Sequence, residues 1–174
     1  MKKRLEYILL PCFIALGFIL GVLSKAGDVA VQGFILGNIL NAFGRVSSGV
    51  FIWVVICTAI TSLSKSKIWS IVNVFFFLAS MILAYYLYSY FIVNYFVLRI
   101  VRFWLAMLIP SMLLSFILWN IRTIRILKYI VIITGTFIMI YDMFITQGAL
   151  PIAIIIDLIL YGIFLAFIIK RKTI

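Results

Sequence analysis

Apolar residues follow one another almost without a break along this chain, and the few polar clusters mark where it turns. The run from Tyr7 to Leu23 predicts a first helix over residues 6–24. The next stretch, Val29 to Phe43, is broken by Gln32, Gly33, Gly37, Asn38 and Asn41 and leads into Gly44-Arg45-Val46-Ser47-Ser48-Gly49. Polar groups without partners are costly in hydrocarbon, so residues 25–45 are expected as a long outer loop containing a short helix that lies in the interface or dips back into the protein. A second helix is expected over 46–63, stopping at Ser64-Lys65-Ser66-Lys67, and a third over 68–90. Asn94, Arg99 and Arg102 separate it from a fourth over 100–119. A basic loop from Asn120 to Lys128 precedes a fifth helix over 129–145. The turn Thr146-Gln147-Gly148-Ala149-Leu150-Pro151 places a proline at the start of a sixth, over 151–169. These runs are close to the roughly 20 residues that carry a helix through a hydrocarbon core about 30 Å thick. The expected fold is an all-α integral membrane protein, a bundle of six transmembrane helices forming one domain over 1–174.

Composition strengthens this reading. With 67% of residues hydrophobic and 11% charged, the chain has too little polar surface to cover a soluble globule of 174 residues. A net charge of +11 would suggest nucleic acid in a soluble protein, but the Lys and Arg here sit in the gaps between apolar runs and act as topology signals. Lys2, Lys3, Arg4, Lys65, Lys67, Arg122, Arg125, Lys128, Lys170, Arg171 and Lys172, eleven of the fifteen, fall on one side if the helices alternate. Both ends are therefore expected in the cytoplasm, with the chain in the cell membrane, lipid as its first partner and no nucleic acid. The basic start resembles that of a secretion signal, but the apolar run is long and Ser24-Lys25-Ala26-Gly27-Asp28 is a weak cleavage site, so the first helix is expected to be retained.

Candidate chemistry is sparse. Histidine is absent, and the two cysteines, Cys12 and Cys57, lie in apolar runs, so neither a metal nor a cofactor is expected. No phosphate-binding glycine loop, zinc-protease motif or serine elbow occurs, and no enzyme activity is expected. Tyr141-Asp142 resembles half of an intramembrane aspartyl protease site, but Ile154-Ile155-Ile156 stands before Asp157 where that family has Gly-x-Gly.

Of the four acidic residues, Glu6 reads as interfacial, whereas Asp142 and Asp157 fall inside helices, where an ionised carboxylate needs pairing or hydration. The intervening turn sets them at equal depth, on the order of 10 Å below it at about 1.5 Å per residue. Arg99 and Arg102 enter the same leaflet, and Asp28 and Arg45 belong to the outer loop. Two readings stand: Arg–Asp pairs that fix helix register, or an outward-open cavity in which these residues position a polar ligand beneath the loop. Tyr85, Tyr86, Tyr88 and Tyr90 form either an aromatic belt or part of that cavity, and Asn73, Phe77, Ser80, Ala84 and Tyr88 share the spacing of one inward helix face. Gly17 and Gly21 form a small-xxx-small face for a neighbouring helix or a partner.

Ser64-Lys65-Ser66-Lys67, Val74-Phe75-Phe76-Phe77, Met81 and Tyr85-Tyr86-Leu87-Tyr88-Ser89, with Gly17, Gly21 and Asp28, resemble a pattern in an uncharacterised six-helix membrane protein family of Gram-positive bacteria. The resemblance implies a bacterial plasma membrane. Size, helix number and the loop are also similar to the substrate-binding subunits of energy-coupling-factor transporters, with Ala15, Gly17 and Gly21 standing where that family has an A-x-x-x-A pair. That resemblance implies a small solute bound from outside and docking on a membrane subunit served by an ATPase.

The leading expectation is a non-enzymatic protein that binds or helps transport a small polar solute, with Asp142, Asp157, Arg99, Arg102, Tyr88 and Asp28 as ligand-binding residues. The alternative is an accessory or self-protection subunit without a ligand, packing on another membrane protein through Gly17 and Gly21.

Overall fold

The computed structural model describes residues 2–31, 33–95, 97–121, 124–146 and 151–169, with side chains of the first helix from Leu9 onward. The turn between the last two helices, Arg122 and the basic cluster Lys170-Arg171-Lys172 lie outside the described residues. Among those described there are seven helices and no strand: α1 (Lys2–Asp28), α2 (Ile35–Ser48), α3 (Phe51–Leu63), α4 (Lys67–Tyr88), α5 (Leu98–Asn120), α6 (Arg125–Tyr141) and α7 (Pro151–Ile169). α4 and α6 each close on a π-helical turn, Ser89–Val93 and Asp142–Thr146. Five helices, α1, α4, α5, α6 and α7, are long and apolar enough to cross a membrane, and α2 with α3 makes a sixth span if the bent pair counts as one.

The main departure from the sequence expectation is at the second helix. Instead of one helix over 46–63, α2 continues through Ser48 and α3 starts afresh at Phe51, bent by 77°. Gly49 is extended there, with φ −76° and ψ 168°. The Phe51 N–H, in the first turn of α3 and so without a partner inside the helix, donates to Asp142 Oδ2 at 2.5 Å. A methyl group at Gly49 would stand 2.6 Å from that same oxygen, so glycine makes room for the carboxylate that terminates the bend. With thirteen residues, α3 rises only about 20 Å and is short for a hydrocarbon core by itself.

Elsewhere, helix pairing follows small residues and hydroxyls. Gly17 and Gly21 of α1 press against the Phe77 and Met81 carbonyls of α4, and a Cβ at either glycine would collide with that backbone. The two helices therefore run parallel in close contact, and the Ser80 hydroxyl donates across to the Ile14 carbonyl at 3.0 Å. α6 and α7 run antiparallel, with the Thr136 and Tyr161 hydroxyls 2.7 Å apart and Lys128 Nζ donating to the Ile169 carbonyl at 3.5 Å. At the end of the bundle formed by the close of α3 and the start of α4, Ser115 of α5 joins Thr61 at 3.0 Å and Ser70 at 2.5 Å, all fully buried. Such interhelical hydrogen bonds hold helices together where lipid tails are as apolar as leucine.

Two apolar clusters fill the interior. One centres on Phe77 and joins α1, α3 and α4; the other centres on Phe51 and Phe164, whose rings meet edge-on at 6.0 Å, and joins α3, α5, α6 and α7. α3 thus belongs to both, and the bend at its start places a gap between α1 and α5 beside the first cluster.

Candidate ligand site

The site is assembled where α1 and α2 cross. At Gly27 and Gly44 each backbone occupies the space where the other's Cβ would stand. That close approach brings the Ser24 and Ser47 hydroxyls to 2.7 Å and lets the Ser48 hydroxyl donate to Asp28 Oδ1 at 3.3 Å. From α4, the Tyr85 hydroxyl donates to Asp28 Oδ2 at 2.5 Å. The Lys25 ammonium lies 5.0 Å from the centre of the Tyr85 ring. Trp53, one turn into α3, is fixed by its indole N–H donating to the Ser47 carbonyl at 2.8 Å.

These groups wall a cavity of about 480 Å³, closed on its remaining side by Ile100, Phe103 and Trp104 of α5. Its polar wall residues are Asp28, Ser24, Ser47, Ser48 and Tyr85, with Tyr86 beside them, its hydroxyl buried; the cavity's apolar surface includes Trp53, Met81 and Trp104. The size suits a small-molecule pocket, and the mix of aromatic walls with a few polar groups is the usual composition of one. A second, more open cavity of about 280 Å³ lies between α2 and the start of α7, beside Asn38, Asn41 and Arg45. There Arg45 Nε donates to Asn41 Oδ1 at 3.1 Å.

Of the residues singled out in the sequence, Asp28 is at the centre of the larger cavity. Asp142 and Asp157 are elsewhere, 1% and 0% exposed. Asp142 holds the start of α3, and Asp157 lies on the buried face of α7 with Ala153, Phe164 and Ile168. Arg99 and Arg102 are exposed, because α5 turns Ile100, Phe103 and Trp104 towards the cavity. The structure therefore does not gather the two arginines with the two buried aspartates. Tyr88 is half-buried and outside the cavity wall, which takes Tyr85 and Tyr86 from the same run. Gly17 and Gly21 are used within the chain, against α4. Among the described residues no three of His, Cys, Asp and Glu come together as metal ligands would.

Ser24, Ser47, Ser48, Trp53 and Trp104 were not legible as site residues. Ser47 and Ser48 fall at the start of the helix expected over 46–63, with nothing to mark them as site residues, and the tryptophans fall in apolar runs that give no sign of which face turns inward. The fold is that of a helical bundle with several helices of membrane-spanning length and apolarity, carrying a partly open cavity of mixed polar and apolar lining beside the α1–α2 crossing. No protein-family model, curated protein or solved structure matches the chain.

Proposed function

We propose that this is a non-enzymatic, six-span protein of the plasma membrane, with both ends in the cytoplasm, that binds or helps transport a small solute in the Asp28 cavity. The observation that carries the reading is the cavity itself: about 480 Å³ lined by Asp28 and hydroxyl-bearing side chains of Ser24, Ser47, Ser48 and Tyr85 inside an otherwise apolar bundle. Polar and ionisable groups within membrane-spanning helices are costly and tend to mark ligand pathways. The distribution of basic residues supports an N-in arrangement, which sets the cavity towards the outer face, with the last turn of α2 in its wall. The chain carries no nucleotide-binding motif, so uptake against a gradient would draw on a partner subunit or an ion gradient.

In the alternative reading, a ligand-free accessory subunit, a partner would have to dock elsewhere than on Gly17 and Gly21, which pack against α4.

The test is a thermal-stability screen of the purified full chain in mild detergent against small polar solutes, run beside the Asp28→Asn and Ser48→Ala variants. Solutes that raise the unfolding midpoint of the wild type and not of the variants support the cavity as the site. A solute that stabilises all three equally would place binding elsewhere.

A further inference from the structure

A second, apolar space adjoins the cavity. Three of its wall residues, Trp53, Met81 and Trp104, also line a small void of about 40 Å³ between α3, α4 and α5, whose other walls include Cys57, Leu78, Met107 and Leu108. An apolar void of that kind gains nothing from water, and its methionines can move to admit a short alkyl group. The two spaces thus share Trp53, Met81 and Trp104 as a common wall, one carrying the carboxylate and hydroxyls and the other almost wholly apolar.

The cavity's charge has one sign. Among the described residues Asp28 is the only charged side chain in its wall, since Arg99 and Arg102 are exposed outside it and Lys25 stands over the Tyr85 ring without lining the space. Two hydroxyl donors, Tyr85 and Ser48, already reach the carboxylate, whose two oxygens offer about four acceptor positions. Acceptor capacity is left over, and an anion would meet repulsion there. Around it are Trp53, Phe103, Trp104 and Tyr86, and aromatic faces attract cations, tryptophan most strongly. The protein already holds one ammonium this way, Lys25 on Tyr85.

We propose that the cavity binds a small organic cation, its ammonium-type head between Asp28 and the aromatic walls and a short apolar substituent in the apolar space beside Trp53 and Trp104. The proposal rests on the solute-binding reading above and narrows it to a ligand class.

The experiment uses the full chain in lipid nanodiscs. Trp69 and Trp119 are replaced by Phe, so that of the four tryptophans only Trp53 and Trp104 report. Emission is titrated with butyltrimethylammonium, tetramethylammonium, the neutral 3,3-dimethyl-1-butanol and the anion butanesulfonate, with empty nanodiscs as blank. The expected result is a saturable shift with butyltrimethylammonium, weaker binding of tetramethylammonium, and no saturable response to the anion. Asp28→Asn should weaken the cation about tenfold, and Met107→Phe should erase the advantage of the butyl chain. The comparison of cation with neutral probe needs no variant, so it holds even where Asp28→Asn fails to fold. Equal affinity for the neutral or anionic probe would overturn the cation class and leave a solute site standing. No saturable response to any probe would overturn both.

Discussion

Tyr85 donates its hydroxyl hydrogen to the Asp28 carboxylate across 57 residues of sequence, tying the end of α1 to the last turns of α4. Hydrogen bonds to a charged acceptor are among the stronger ones, yet Asp28 is exposed towards the cavity, so its net worth is modest. Tyr85→Phe and Asp28→Asn should each lower the unfolding midpoint slightly, and a double-mutant cycle should return a coupling of about 1 kcal/mol. Additive effects would show that the bond contributes nothing to holding the two helices together.

Asp142 is a different kind of carboxylate. It caps α3 from the far end of the chain, accepting from the Phe51 N–H that the bend at Gly49 exposes. Asp142→Ala leaves that donor without its acceptor in a buried setting and should cost about 1–3 kcal/mol, read as a lower midpoint in detergent. Asp142→Asn keeps an acceptor oxygen and should recover most of the loss. If Asn were as damaging as Ala, the charge and not the hydrogen bond would be what α3 requires.

The contrast between these aspartates shows what the sequence could and could not disclose. Five of the expected helices appear with their ends shifted by only a few residues, because apolar run length and Lys or Arg breaks are local signals. Position inside a helix marked Asp142 and Asp157, and the depth argument set them in one layer, but helix rotation is invisible to both. α5 carries Arg99 and Arg102 on faces away from the cavity, while Ile100 and Trp104 face it. The bend at residues 49–50 arises from a contact 91 residues away in sequence, so no local pattern announces it. Asp28 was singled out as an acid of the outer loop, whereas the structure has it at the end of α1; its companions Ser24, Ser47 and Ser48 were not singled out, since only the Gly27–Gly44 crossing brings them together.

The α1–α4 contact makes a sharper prediction about glycine. A side chain at Gly17 would be driven into the Phe77 carbonyl and the Ser80 hydroxyl, and backbone cannot yield as a flexible side-chain tip can. Gly17→Leu should cost roughly 1–3 kcal/mol or more through overpacking, seen as loss of the monodisperse peak in detergent chromatography. Gly162→Ala is the control, because a methyl group there meets nothing within 4 Å, and its midpoint should stay at the wild-type value. Equal tolerance at both positions would mean that α1 and α4 do not pack this closely in the membrane.

The sidedness on which the outward-facing cavity depends can be read chemically. Lys65 lies between α3 and α4, and Tyr95 follows α4 at the opposite end of that helix, both exposed. In a background with Cys12 and Cys57 replaced by alanine, a single cysteine at Tyr95 should react with a membrane-impermeant maleimide added to intact cells. One at Lys65 should react only after the cells are opened. The expectation follows from the excess of Lys and Arg on the Lys65 side, which the insertion machinery retains in the cytoplasm. The reverse pattern would turn the Asp28 cavity towards the cytoplasm and make its solute an internal one. Labelling of both sites in intact cells would show that α4 does not cross the membrane at all, and would remove the six-span arrangement together with the outward cavity.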